Sequence, residues 1–328
     1  MRLSVVICAY NAERRLPAVL DALEAQQGVS PSEWEVVVVD NNSRDETTGV
    51  AHARSNRLPV RVVREARQGL IRARERGVCE ARGDVLSYID DDNVVDPGWC
   101  RACIDFADAH PRAGVFGGRV DPIFEDPASR PPDFEARYAA MLALRDLGGE
   151  PRLLLPPHDD PPCGAGMTGP TRVLRTVLLE IGVQLTGRRG RALTAGEDSE
   201  IGWLVHRLGW EMWYTPALRM GHVIPPGRLV PDYLERLEVG MARTWPWLRL
   251  LAGREPRRAR AAYMARAFHC QLRAASARLR AARRGGRPEA AYHRFFARRL
   301  RAEAAGYWDM ALRRPIDRIL ALGPGPNA

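Results

Sequence analysis

The sequence predicts an α/β domain with a mainly parallel sheet flanked by helices, extended at its C-terminal end by further helices. Three observations predict it. Short Val- and Ile-rich runs near residues 3–9, 35–39, 60–63 and 85–89 alternate with apolar residues at helical spacing, the pattern of parallel strands joined by right-handed helical crossovers. Three of those runs stop at polar groups, Asn11, Asp40 and Asp90-Asp91-Asp92, and in such sheets ligands bind beyond the carboxyl ends of the strands. Beyond residue 230 the spacing turns helical. The expected division is therefore residues 1–230, themselves split near 110, and a basic, mainly helical region 231–328.

Leu3 to Ala9 is a continuous apolar run, as expected of a strand covered on both faces. After Tyr10-Asn11, residues Leu16, Val19, Leu20 and Leu23 mark a helix, with Pro17 tolerable in its first turn. Glu35 to Val39 makes a second strand ending at Asp40, and the polar loop Asn41 to Asp45 can cap the next helix. Val60, Val62 and Val63 suggest a third strand, and a helix over 70–81 leads to the strand 85–89. Past residue 111 the alternation weakens. Residues 115–124 read as a strand, and the Pro-rich stretches 126–133 and 151–162 as loops. Pro162 to Met167 is rich in small residues, which suits a close backbone approach or a simple turn. A helix is expected after Gly196, from the spacing of Ile201, Leu204, Val205 and Leu208. A strand 210–214 should follow and end at Pro216. Tyr233, Leu234, Leu237 and Met241, and later Phe295, Phe296 and Leu300, lie at helical spacing, and Gly285-Gly286 divides the region they occupy.

Composition excludes several classes. At 328 residues, 45% hydrophobic and 27% charged, the chain is neither disordered nor fibrous. The net charge of +9 resides in the last third: residues 231–328 hold 21 Arg against 8 acidic residues. No run approaches the roughly 20 apolar residues of a membrane span, and no leader is expected, since Met1-Arg2 run straight into the first strand-like stretch. Six cysteines lack the spacing of a disulfide framework, and the lone Cys100-x-x-Cys103 lacks a second pair to complete a zinc site, so two thiols on a helix face are expected. A reducing, cytoplasmic setting follows, at most peripheral on the inner face of a membrane.

Three consecutive carboxylates at the end of a buried strand repel one another, and hard oxygen donors suit Mg²⁺ or Mn²⁺ shared with phosphate; the alternative is a solvated acidic turn. In Gly196-Glu197-Asp198-Ser199-Glu200 the acidic groups either favour a helix start or supply a base at a pocket edge. His222 is a ligand or a structural histidine.

Taken together, the motifs resemble those of the family 2 glycosyltransferases of GT-A (Rossmann-like) fold. The resemblance covers about residues 1–230 and rests on ordered pieces: Val6-Ile7-Cys8-Ala9-Tyr10-Asn11; Val38-Val39-Asp40-Asn41-Asn42-Ser43 with Asp45 and Thr47; Gly69-Leu70 with Ala73-Arg74 and Gly77; Ala81-Arg82-Gly83-Asp84 leading to Asp90-Asp91-Asp92; and Gly196-Glu197-Asp198. It departs at Glu75 and at Gly169-Pro170-Thr171. It implies a nucleotide-binding half over 1–110 and an acceptor-side half over 111–230. Nucleotide-sugar contacts are then expected from Ala9, Tyr10, Asn11, Glu13, Asp40, Asn42, Arg74 or its neighbour Arg72, Asp90 and Asp91. Asp92 and His222 are expected at a metal, Asp198 as catalytic base, and Glu197 as a positioning group.

The implied function is an inverting transfer of sugar from a nucleotide diphosphate donor, a UDP-sugar by expectation, to a hydroxyl acceptor in polysaccharide, glycolipid or secondary-metabolite synthesis, with Mg²⁺ or Mn²⁺. One alternative is a nucleotidyltransferase with a similar sheet, although Ala9 to Glu13 is not a Gly-rich phosphate loop. Another is a nucleic-acid-binding protein acting through its Arg-rich tail, which leaves the acidic sheet edge unexplained, so no nucleic acid is expected. The tail, outside the resemblance, has two open readings. It packs on the catalytic region or a second subunit, or it forms a peripheral membrane surface from Arg257, Arg258, Arg260, Arg283, Arg284 and Arg287 with Trp245 and Trp247 nearby.

Overall fold

A computed structural model describes residues 1–131, 134, 138–187, 193–254, 260–285, 288–312 and 322. Strand β1 (Leu3–Ala9) leads through helix α1 (Leu16–Glu24) to β2 (Trp34–Asp40), then through α2 (Thr47–His52) to β3 (Val60–Arg64) and through α3 (Leu70–Glu80) to β4 (Val85–Asp90). These strands pair in parallel in the order β3-β2-β1-β4. Every residue of β2 is buried, because helices cover both faces, and this is why the strand reads as four consecutive valines rather than an alternation. Helix α3 buries Ile71, Ala73, Gly77 and Val78, and with them Arg74. A guanidinium on a core-facing position needs charged neighbours, and α3 delivers it to the carboxyl edge of the sheet.

The second half was less legible. Strand β5 (Asn93–Val95), unexpected from its length, follows the acidic triplet directly. Helix α4 (Trp99–Ala109) buries Cys100 and Cys103 on one face as anticipated, and all six cysteines are unpaired. Strand β6 (Ala113–Phe124), the short β7 (Arg152–Leu154) and β8 (Thr168–Pro170) precede α5 (Thr171–Arg175), which continues as wider turns through Ile181. Helix α6 (Glu197–Arg207) and strand β9 (Glu211–Ile224) complete the sheet, ordered β3-β2-β1-β4-β8-β6-β9-β5 with β7 also on β9. The long ladders are parallel, and the short ones made by β5, β7 and β8 are antiparallel.

Strand β9 corrects one expectation, since it runs through Pro216 instead of ending there. Its register against β6 jumps between Tyr214 and Arg219, and Pro216 falls inside that irregularity, where no ladder N–H is required of it. The continued strand brings His222 opposite Asn93. A residue expected beyond the sheet is therefore held within it, next to the acidic turn.

Helices α7 (Pro231–Ala242), α8 (Trp245–Leu251), α9 (Arg260–Arg284) and α10 (Pro288–Leu312) form the C-terminal region. Helices α9 and α10 pack along each other, and α10 rests on α7 and α8. Trp247, Leu250, Tyr263 and Tyr307 share one apolar cluster with Ile201 and Leu204 of α6 and Val6 of β1, so the tail packs on the sheet domain. Trp247 is buried, which removes it from any surface. Arg257, Arg258, Gly286, Arg287 and the terminal stretch 323–328 lie outside the described residues. No described helix is long and apolar enough to cross a membrane.

Candidate active site

Two members of the acidic triplet face different cationic partners, Asp91 meeting Arg15 and Asp92 meeting Arg228 and His222. Asn93 shapes the turn: its Oδ1 accepts from the Asp90 N–H at 2.8 Å and its Nδ2 donates to Asp92 at 3.2 Å. Asp91 accepts from Arg15 Nε and Nη2 at 3.1–3.2 Å and from the Tyr10 N–H at 3.4 Å. Burial pushes the Asp91 carboxyl up to about 6 against the pull of Arg15, with the charges of Asp92 and Asp90 adding to the rise. Asp92, 4% exposed, has Arg228 Nη1 at 3.1 Å and His222 Nε2 at 3.6 Å. Burial opposes its charge, yet His222 and Arg228 outweigh burial and hold it down at about 2.

His222 is oriented from behind: its Nδ1 donates to the Leu142 carbonyl at 2.9 Å, which turns Nε2 toward Asp92 and toward Arg228, the latter at 3.1 Å. An oriented imidazole and an ionised carboxylate are two donors of the kind that hold Mg²⁺ or Mn²⁺ together with substrate phosphate oxygens, so the pair fits such an ion. Among the described residues no three His, Cys, Asp or Glu converge to hold a cation alone. Arg228 had no sequence signal, since it lies in a short turn after β9 with no motif around it.

A cleft of about 470 Å³ runs from this cluster to the start of α6, lined by Asp90, Asp91, Asp92, Arg74, Glu197 and Asp198 with His222 and Arg228. Arg74 is its buried centre. Its Nη1 lies 3.7 Å from Glu197 and makes no hydrogen bond within the protein. Burial disfavours the Arg74 charge, but Glu197, Asp90 and Asp198 more than restore it. Cys8 also lines the cleft, with its thiol pushed up to about 12 by burial, so it is a neutral wall group.

Helix α6 starts at Gly196, whose φ of +110° no residue with a Cβ adopts comfortably. A Cβ there would also meet Leu248 Cδ1 at 2.8 Å. Asp198 Oδ2 accepts from the Gly164 N–H at 2.9 Å, and a Cβ on Gly164 would come within 2.4 Å of Arg74 Nη2 and 3.0 Å of Asp198 Cβ. The small-residue segment therefore does two things: Gly164 lets the cleft floor pass under Arg74, and Gly166 and Met167 bond Tyr88 of β4, the Gly166 N–H donating to its carbonyl at 2.9 Å and the Met167 carbonyl accepting from its N–H at 2.8 Å. Glu200 is no cap. Its carboxylate accepts from the Gln184 and Leu185 N–H groups at 2.9 and 2.7 Å and from Trp247 Nε1 at 2.8 Å, tying α6 to α8. The tail reaches the site too, because Thr244, Trp245, Leu248, Arg249 and Arg254 line the cleft.

The remaining expected residues lie outside the cleft lining. The loops after β1 and β2 clasp each other: the Asn11 N–H donates to Ser43 at 3.0 Å, Asn11 accepts from the Arg44 N–H at 2.9 Å, and Glu13 accepts from the Glu46 N–H at 3.1 Å. Asp40 accepts from the Ser43 N–H at 2.9 Å, and the Ala9 carbonyl from the Asn41 N–H at 2.8 Å. Asn11 and Asn42 take left-handed backbone, at φ 47° and 65°, which asparagine tolerates better than most residues. Tyr10 is 41% exposed at this edge, and Arg15 joins the clasp to Asp91. Arg72 is elsewhere, exposed and paired with Glu75 at 2.8 Å beside a separate surface hollow.

A family model described as glycosyl transferase family 2 matches residues 4–167, from β1 through the Gly164 floor. The chain belongs to glycosyl transferase family 2. A dolichol-phosphate mannosyltransferase of Pyrococcus furiosus is 38% identical over 94 residues, covering 28% of this chain and 26% of that protein. Alignments with three curated relatives span 26 to 35% of those proteins' own length. The structure of Staphylococcus aureus TarS 1–349 with UDP-GlcNAc superimposes at a TM-score of 0.51 with 14% identity, covering 94% of this chain and 92% of that one. That of GalNAc-T7 with UDP, GalNAc and Mn²⁺ gives 0.53 and 20%, covering 76% of this chain and 48% of that one. Both likenesses confirm for this family 2 chain the mixed sheet with flanking helices.

Proposed function

We propose that the protein moves a sugar from a nucleotide diphosphate donor, a UDP-sugar, to a hydroxyl acceptor with inversion at the anomeric carbon. The observation that carries this reading is that Asp90, Asp92, His222 and Asp198, drawn from β4, the turn after it, β9 and α6, line one cleft. The UDP and UDP-sugar held by the two structural relatives support the choice of base.

In this reading the loops after β1 and β2 cradle the nucleoside. The exposed Tyr10 ring offers a stacking surface, and Ala9, Asn11, Glu13, Asp40 and Asn42 supply the polar frame. Asp90 and Asp91 follow toward the ribose. Arg74, with a buried Nη1 that bonds to nothing in the protein, donates to the donor substrate. Asp92 and His222 would hold Mg²⁺ or Mn²⁺, which as a Lewis acid neutralises charge on the departing diphosphate. Asp198, aimed by the Gly164 N–H, takes the proton of the acceptor hydroxyl as the anomeric carbon is attacked. One base on the face opposite the leaving group suffices for a single displacement, which inverts. Glu197, beside Arg74, positions that guanidinium.

Calorimetric titration of UDP, GDP and CDP with and without Mn²⁺ tests the proposal. Metal-dependent binding of UDP that disappears in Asp92→Ala is expected; a folded protein that binds none of the three overturns the reading. Two further results are expected. Because Arg228 already neutralises Asp92, Arg228→Ala should bind Mn²⁺ alone at least about threefold more tightly by electron paramagnetic resonance, as removal of a 3.1 Å cation contact leaves the carboxylate to the ion. Gly164→Ala should slow UDP release from the donor roughly ten- to a hundredfold through displacement of Arg74 and Asp198, with little change in melting temperature.

A further inference from the structure

Helix α9 carries two faces with different partners. Tyr263, Ala267, Cys270, Ala274, Ala277 and Ala281 are buried, a seam of mostly small side chains along which α10 packs closely. On the other side Met264, Phe268, Leu272 and Leu279 are exposed, Phe268 and Leu279 by 57% and 61%. Their spacing of four, four and seven residues places them in one strip roughly 80° wide on a helix about 37 Å long. Isolated exposed apolar residues are ordinary, but a continuous strip of large ones marks a surface that something covers.

Charge identifies what covers it. The 25 residues of α9 include seven Arg and no acidic residue. At 100° per residue, Arg260 and Arg278 flank the strip on one side and Arg280 and Arg283 on the other. Among the described residues none of these four pairs with a carboxylate. Of the acids on α10, Glu303 is engaged with Arg249 at 2.6 Å and Asp309 with Arg243 at 2.9 Å, which leaves the exposed Glu289 in its first turn as one carboxylate against seven arginines of α9. We propose that this face of α9 docks the protein on an anionic lipid surface, with the apolar strip entering the headgroup boundary and the arginine rows contacting lipid phosphates. A second copy is the poorer occupant, because a two-fold contact through the strip sets acid-free arginine rows against each other. Trp245 and Trp247 take no part, one lining the cleft and the other buried.

Flotation of the full chain with vesicles of phosphatidylcholine alone, and of phosphatidylcholine containing about a third phosphatidylglycerol, tests this at low and high salt. Partition onto the anionic vesicles alone, reduced by salt, is expected. Phe268→Ser/Leu272→Ser/Leu279→Ser and, separately, Arg278→Gln/Arg280→Gln/Arg283→Gln should each weaken it by about tenfold or more. Nucleotide binding and circular dichroism should stay as in the parent. Equal partition onto both vesicle types, no partition, or parent-like partition of the apolar triple variant overturns the proposal. So does a parent dimer that the triple variant dissolves, which would assign the strip to a second copy.

Discussion

Asp198→Asn is expected to reduce UDP release from the donor sugar by about 10²- to 10⁴-fold, the range for loss of a positioned general base, while UDP affinity stays within about twofold. Asparagine has nearly the same shape and keeps an oxygen for the Gly164 N–H, which now meets the carboxylate at 2.9 Å. It gives up the oxygen that accepts from the adjacent Ser199 N–H at 2.7 Å, and it lacks the capacity to accept a proton at neutral pH. The comparison separates chemistry from binding, because Asp198 sits at the start of α6 in the cleft lining, to which the loops after β1 and β2 do not contribute. Single-turnover UDP release and UDP calorimetry on the same preparation decide it. A variant that releases UDP at the parent rate removes Asp198 from the mechanism, and one that fails to bind UDP assigns it to the donor pocket.

Glu200→Ala is expected to cost about 3–5 kcal/mol of stability, the largest loss of stability among the substitutions considered. Fully buried, Glu200 accepts from two backbone amides and from the Trp247 indole. Removal strands three donors in the interior, each losing its share of about 1–3 kcal/mol. Glu200→Gln keeps the volume and one oxygen and should lose roughly half as much. Urea midpoints at constant m-value measure both. A cost under about 1 kcal/mol for the alanine variant would mean that water replaces the carboxylate, and that α6 is not braced through this residue.

The parallel half of the fold was legible because each signal in it is local. Val36 to Val39 reads as a strand covered on both faces without reference to any partner, and the polar ends at Asn11, Asp40 and Asp90 follow from chain direction alone. The second half was harder, since β5 and β8 are three residues each and exist only through pairing with β9 and β4. Pro216 misled for the same reason. A proline ends a strand unless the register breaks around it, and the break belongs to β6 as much as to β9.

Within the site, the residue types that carry charge at motif positions were visible: Asp90 to Asp92, Arg74, Glu197, Asp198 and His222 all come to one cleft. Arg72 could not be told from Arg74 by composition. Two residues is about 200° on a helix, so burial of one at the cleft sends the other to solvent and to Glu75. Arg15, Asn93, Arg228 and Glu200 were not distinguished as working residues, because each acts through a partner distant in sequence.

By itself the sequence determined the alternation of strands and helices, the acidic edge, the order of family 2 motifs and the basic, helical nature of the tail. These are properties of spacing and composition. Only the tertiary structure decided that Arg228 stands between Asp92 and His222, that Gly164 gives room to Arg74, and that α8 closes a wall of the cleft. It also left one face of α9 bare. Each of these depends on which side chain meets which across the chain, and a distance of a few ångströms between remote residues has no counterpart in local pattern.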